Sequence, residues 1–489
     1  MREDAVLAVP VHRGRWIALG TLLAAEAMNV LDATVVQVAA PVVAADLGGA
    51  PADIQWFSAA YTLPFALLLI TGGRLGDVFG RRRVFVVGVV GFALASLVCA
   101  LVGGTGALIA ARAVQGGAAA LVIPQTFGLI KAMFTGPALA RALGWNGPVV
   151  GLASVCGPVL GAVLTHADLF GLSWRVVFLV NLPLAAAVLA TAHLLREDRS
   201  ATPPRLDLPG TALAVLGTGL VVHPLIQGDS VRFSIGGAAE LVAGIAVLVG
   251  FGLHQRNRAR LGRSPLVEPS LFGDRGFPAA LVTSTLFFAV MNGLMLVVVL
   301  HVQLGLGAGV LTSGLTLLPW SGGLAVASWL AGTHLVPRHG SRVLFAGLAA
   351  LLAGTLAAIA VYHRADPHAY PWPLLGALAV GGAGLGLFTV PFFITALSRV
   401  RPAETGSAAG LLNAVQQLGA TLGVALLGTT FLHGVAGDPA AEANPGPAAL
   451  TAAQHACWLA VGLLVATTAA AIAMTRPARA TRAPHVSSA

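Results

Sequence analysis

The sequence predicts an all-α membrane protein with fourteen transmembrane helices. Three observations carry that prediction. First, 57% of its 489 residues are hydrophobic and only 10% are charged, with a mean hydropathy of +0.85. A soluble domain carries about 25% charged residues. Second, apolar runs follow one another with short polar breaks; about 20 such residues suffice to cross a bilayer. Third, the arginines collect in alternate breaks.

The first span runs from about Trp16 to Val43. It is too long for a signal peptide and has no small-residue cleavage site, so it is expected to be retained. Spans at about 54–72, 84–103, 106–130, 139–165 and 174–195 follow. The segment Arg196–Asp207, with Pro203 and Pro204, is a short charged linker. Two further spans at about 209–227 and 235–254 lead into the strongly basic loop His254–Arg275. The remaining six lie at about 277–302, 309–334, 342–362, 372–398, 408–433 and 452–474. An Ala-, Gly- and Pro-rich loop with Asp438 and Glu442 precedes the last. Sixty glycines permit close helix contact. The division expected is 1–207, 208–276 and 277–489.

Orientation follows from counting. With the N-terminus inside, every Lys and Arg of the 28 falls in an inner break except Arg112, Arg175, Arg232 and Arg364. This is positive-inside topology, with both termini cytoplasmic. It accounts for the net charge of +9 without a nucleic-acid partner. Cys99, Cys156 and Cys457 all lie inside apolar spans, which argues against a disulfide framework. No metal-ligand or hydrolase motif stands in a suitable context, so no cofactor is expected and the chain is not read as an enzyme. His223, His301 and His334 lie near span ends and are expected at the interface.

The first span holds two carboxylates, Glu26 and Asp32, near mid-depth. Each costs roughly 2.5–3.5 kcal/mol at the centre of a membrane helix. Acids kept there are a functional-site hypothesis. Helical spacing is taken to place Glu26, Asn29, Asp32, Thr34 and Gln37 on one polar face of roughly 120°. Arg112, with Gln115 three residues on, lies at comparable depth in span four. A lone buried arginine is costly, so Asp32 is its expected partner. Two readings stay open: a pair weakened when Asp32 takes a proton, and a static ion pair that fixes packing.

The second inner break carries Gly73, Leu75, Asp77, Gly80, Arg81, Arg82 and Arg83. The glycines allow a tight turn, and Asp77 can pair with an arginine or accept from a helix N-terminus. That combination reads as a charged latch. The segment resembles the loop 2–3 signature of the major facilitator superfamily. Other segments agree, in order. Leu31, Asp32, Thr34 and Pro41 resemble the first-helix motif of the fourteen-helix drug:proton antiporters, with Gln37 where Asn is usual. Arg112, Gln115 and Gly116 resemble the fourth-helix motif. Gly157, Pro158 and Gly161 resemble the antiporter motif of helix five, and Gly147, Pro148 and Gly151 repeat it. Two such breaks are expected to bend the span. Trp174, Arg175, Phe178, Asn181 and Pro183 resemble the start of helix six, and Gly406–Gly423 resembles helix thirteen.

The resemblance implies a major facilitator fold: two six-helix bundles with two additional helices between them, working by alternating access. It implies proton-driven efflux of amphipathic drug-like or secondary-metabolite molecules by a monomer in the inner (plasma) membrane. Small-molecule substrate, protons and lipid are then its partners. Asp32 and Arg112 become the proton-coupling candidates. Glu26, Asn29, Gln37, Gln115, Trp56, Tyr61 and Asn292 become substrate-binding candidates. Phe65, Phe288, Trp320, Phe388 and Phe392 are further aromatics that could line a cavity. Two alternatives stand beside this: a transporter of a single metabolite, and a non-transporting membrane sensor. The sensor should lack mid-membrane acids and the latch, and this chain has both.

Overall fold

The computed structural model describes residues 14–199, 206–227, 234–398, 400–401, 405–437 and 444–476. Within them lie fourteen helices long and apolar enough to cross a membrane. In chain order they are α1 (Arg15–Asp46), α2 (Pro51–Phe79), α3 (Arg81–Leu101), α4 (Thr105–Met133), α5 (Arg141–His166), α6 (Ser173–Leu194), α7 (Leu208–Gln227), α8 (Ile235–Arg260), α9 (Gly276–Gly305), α10 (Val310–His339), α11 (Arg342–Arg364), α12 (Leu374–Leu397), α13 (Ala408–Ala436) and α14 (Pro445–Thr475). The readings placed on Pro203, Pro204, Arg232, Asp438 and Glu442 lie outside the described residues.

Most helices overrun their sequence estimates. α1 continues three residues past Val43, and Gly48 in the left-handed conformation turns the chain (φ +61°). The expected double break in α5 is not what forms. Its one interruption is a turn at Trp145. Pro148 then sits in the first turn of the resumed helix, where its missing N–H costs little. Pro158 is carried inside the unbroken stretch Asn146–His166. The two Gly-Pro copies also differ in packing. A side chain at Gly147 or Gly151 would meet open space, whereas one at Gly157 or Gly161 would collide with Thr34 or Val35 of α1.

Packing follows the pattern of small residues. α1 lies on α5, α2 on α4, and α3 on α4; α9 lies on α13 and α14, and α12 on α10 and α11. α7 and α8 pair through Gly217 and Gly244, whose backbones approach closely. Only 11% of the apolar window of α8 is buried, so this helix faces the lipid. α7 touches both halves: Thr211 bonds Thr71 of α2 at 2.8 Å, and Leu225 O accepts from Thr429 of α13 at 3.1 Å. Asp207, just before α7, is fully enclosed. It accepts from the Gly210 N–H (3.0 Å) and Gln255 (2.8 Å), contacts His254 (2.9 Å), and pairs with Arg258 (3.3 Å).

The apolar core is continuous across the halves only toward one end. Ala18–Met28 of α1 packs within α2–α6. Val35–Ala44, further along α1, shares a core with α9–α14. That end, opposite the one where α1 starts and α14 finishes, also carries cross-half hydrogen bonds. Gln303 donates to Val38 O at 2.9 Å, and Gln37 donates to Asn292 at 3.3 Å.

Candidate functional site

Asp32 is at the centre of a closed polar cluster in α1–α6. Its Oδ2 accepts from Arg112 Nη1 at 2.5 Å. Its Oδ1 accepts from Gln115 Nε2 (2.9 Å) and Asn181 Nδ2 (2.7 Å). Ser96 Oγ accepts from the same two amides, at 2.8 and 3.2 Å. Arg112 Nη1 also donates to Gln115 Oε1 at 2.7 Å, and Nε donates to Phe57 O at 3.1 Å. The guanidinium carbon lies 4.3 Å over the Tyr61 ring and 5.8 Å from the Phe178 ring. Both side chains of the ion pair are 0% exposed. Such a pair needs every hydrogen bond it can find, because desolvation of two charges opposes the Coulomb gain.

The sequence anticipated Asp32, Arg112 and Gln115 together. It missed Ser96 and assigned no role to Asn181. The signal for Asn181 lay in its motif, which now reads as a series of contacts. Trp174 and Arg175 donate to Asp46 at the end of α1 (2.9 and 3.0 Å), Phe178 packs on Arg112, and Asn181 reaches Asp32.

The single polar face of α1 is corrected. At 100° per residue its five members span about 200°, not 120°. The structure uses that spread to address three neighbours. Asp32 turns into α4 and α6, Thr34 lies against Gly157 of α5, and Gln37 crosses to Asn292 of α9. Glu26 faces Asn146 of α5. Its Oε2, like Nδ2 of the neighbouring Asn29, is buried with no hydrogen-bond partner among the described residues.

The proposed substrate contacts therefore separate. Gln115 and Tyr61 are enclosed around the ion pair, at 0% and 1% exposure, instead of lining a cavity. Trp56 lies beside His223 of α7, ring centroids 6.0 Å apart. Glu26, Asn29, Gln37 and Asn292 are the members that retain open polar atoms or bridge the halves. The aromatic cage is also corrected. Phe287, Phe388 and Phe392 form a stacked, buried column with successive centroids at 3.6 and 5.1 Å, so they fill core.

The latch forms within one half. Asp77 accepts from Arg81 at 2.6 Å, and Arg81 also reaches Asp198 at 3.2 Å. Glu197 accepts from the Arg82 N–H at 3.0 Å and lies 3.8 Å from Arg83. Gly80 takes φ +103°, which opens α3 toward this acidic pair. Beside Gly73, Gln125 of α4 donates to Gly72 O at 2.7 Å. The linker acids Glu197 and Asp198 complete the arrangement; nothing in their spacing from the loop announced it.

His301 is corrected outright. It is 0% exposed, not interfacial. His223 pairs with Glu240 at 3.0 Å, and His334 is exposed. The described residues hold no cluster of three His, Cys, Asp or Glu suited to a metal.

Comparison with known proteins agrees with this architecture. The chain is 43% identical over 438 residues to the probable actinorhodin transporter of Streptomyces coelicolor, covering 89% of this chain and 76% of that one. It is 35% identical over 474 residues to the puromycin resistance protein of Streptomyces alboniger, covering 95% and 93%. Among solved structures it superposes on a bacterial homologue of the human lysosomal transporter Spinster in an inward-facing, unoccupied conformation. That match has a TM-score of 0.65 at 18% identity, covering 94% and 97%, and speaks to the fold. The sequence profile of the Major Facilitator Superfamily matches residues 22–424. With fourteen spanning helices and a match over most of its length, the chain belongs to the Major Facilitator Superfamily.

Proposed function

We propose that this transporter expels an amphipathic secondary metabolite or drug-like molecule in exchange for protons. One observation carries the reading: a carboxylate deep in the membrane whose every bond depends on its charge. Asp32 holds Arg112, Gln115 and Asn181, and so ties α1 to α4 and α6. A proton on Asp32 removes the charge that Arg112 needs and converts one acceptor oxygen into a donor. The helices then lose their reason to stay in register, and the halves rock. One charge moving down the membrane potential supplies about 2.3 kcal/mol per 100 mV.

Cargo binds between the halves, at Glu26, Asn29, Gln37 and Asn292. Glu26 selects for a cationic or strongly polar group. The termini are cytoplasmic, as the arginine distribution requires, and the protein works in the cytoplasmic membrane as a monomer. The end sealed by Gln303 and Gln37 is then the outer one. A single-metabolite exporter is the second reading. The relative at 43% identity is named for one compound, and the aromatics that a broad cage would need are core.

Puromycin and actinorhodin serve as probes in proteoliposomes with an imposed pH gradient. Wild type should concentrate at least one of them uphill. Asp32→Asn should lose uphill accumulation and keep downhill exchange. Equal accumulation by both would remove Asp32 from the coupling role.

A further inference from the structure

His301 begins a π-helical turn, His301–Gly305, that ends α9. Such turns recur at functional sites. The imidazole is fully buried, and neither Nδ1 nor Nε2 has a hydrogen-bond partner among the described residues. Its ring meets Tyr362 of α11 edge-on, centroids 4.9 Å apart. The Tyr362 hydroxyl is likewise buried and unpartnered.

Next to this pair lies a cavity of about 20 Å³, room for a single water. Val297 and Val298, one turn before His301, line it together with Thr355, Tyr362 and Cys457 of α14. The titratable groups around the ring are thus Tyr362 and Cys457, with Tyr370 beyond them bonded to Thr316 at 2.6 Å. A packing role alone would be filled better by leucine, which brings no polar atom. An imidazole with two open nitrogens can hold one proton or two.

The same turn is in contact with the other half. Gln303, two residues on, donates to Val38 O of α1 at 2.9 Å and to Ser313 at 3.1 Å. Gly305 leaves room for the ring: a side chain there would press on His301 Nδ1 and on Ala449 of α14. One short turn therefore carries a proton-binding ring on its inner face and a cross-half hydrogen bond on its outer face.

We propose that His301 is a second proton-binding site, exchanging its proton through a water held against Tyr362, and that its charge state sets the contact made by Gln303. The site lies in α9–α14, apart from Asp32 in α1. Its place in the cycle rests on the proton-coupled reading above; its titration does not.

The test needs no cargo. Histidine Cε1–H resonances of the full-length protein are followed against pH in detergent, and the His301 signal is the one absent from His301→Gln. It should move between about pH 5 and 8, and Tyr362→Phe should displace its midpoint. A signal fixed across that range overturns the proposal, and an unmoved midpoint in Tyr362→Phe overturns the pairing. Should His301→Gln fail to fold, His301→Asn supplies the subtraction. Hydrogen exchange of the segments 36–42 and 301–308, corrected for intrinsic rates, provides the second arm. Its pH response should persist in Asp32→Asn and vanish in His301→Gln. The reverse pattern overturns this site and leaves coupling through Asp32 intact. A response that survives in both variants overturns His301 as well.

Discussion

Breaking the Asp32–Arg112 pair from either side should be far more damaging than removing both charges. Asp32 accepts three hydrogen bonds, one from a guanidinium, at 2.5–2.9 Å. A bond to a charged group contributes about 1.5–3 kcal/mol and a neutral one about 0.5–1.5. The three together amount to about 2.5–6 kcal/mol. Stranding one member of a buried pair independently costs about 3–5 kcal/mol. Asp32→Asn and Arg112→Met should therefore each destabilise the protein by about 3–5 kcal/mol. The double variant leaves no uncompensated charge, so its cost should fall short of the sum by at least about 2 kcal/mol. Arg112→Lys separates charge from shape. It keeps the cation but loses the fork that reaches Asp32, Gln115 and Phe57 O at once, and should recover only part of the loss. Unfolding in mixed micelles with rising SDS, followed by tryptophan fluorescence, measures all four. Additivity to within about 0.5 kcal/mol would refute the coupling.

Gly157→Leu should separate α1 from α5, because its side chain would enter the space of Thr34; overpacking of this kind costs about 1–3 kcal/mol. The melting temperature should drop, while Gly151→Leu, which faces open space, should leave it unchanged. In the latch, the double change Glu197→Gln with Asp198→Asn removes the acids that meet Arg81, Arg82 and Arg83. These contacts are partly exposed, so folding stability should move by less than about 1 kcal/mol. The initial transport rate should fall several-fold, and an unchanged rate would reduce the latch to a surface decoration. Asp207 lies outside the spans. Burial pushes its carboxyl up, but His254, Gln255, the Gly210 N–H and the Arg258 charge outweigh this and hold it below the usual carboxylate range. Its stabilising contribution is therefore present above the unfolded value and lost as pH falls through the lowered folded one. Hydrogen exchange in 255–268 should accelerate on acidification in wild type, and Asp207→Asn should exchange fast at every pH.

The sequence made the fold legible because the bilayer leaves it few choices. Helices must satisfy their own backbone in lipid, so counting apolar spans and arginines was enough to number and orient them. The same physics flagged Asp32 and Arg112: charges at that depth demand each other. What remained hidden depends on facing, not on depth. The one-face reading of α1 failed because a helix buried on every side has no single polar stripe; Asp32, Thr34 and Gln37 each serve a different neighbour. Asn181 was visible as a motif member but not as a donor, since only the crossing of α6 over α1 brings it to Asp32.

His301 shows the limit most sharply. By position it ends a span, and histidines there usually reach the headgroups. Here α9 runs on through the π turn, and α11 and α14 close around the ring. Hydropathy cannot register a π turn, because the shift adds one residue to a turn without altering composition. The deviation becomes readable only from its consequences: a glycine four residues on that must stay small, and a glutamine two residues on that leaves its own half to bond α1. A membrane protein's sequence therefore reports which groups are too costly to be accidental. Coordinates are needed to learn which of them share a neighbour.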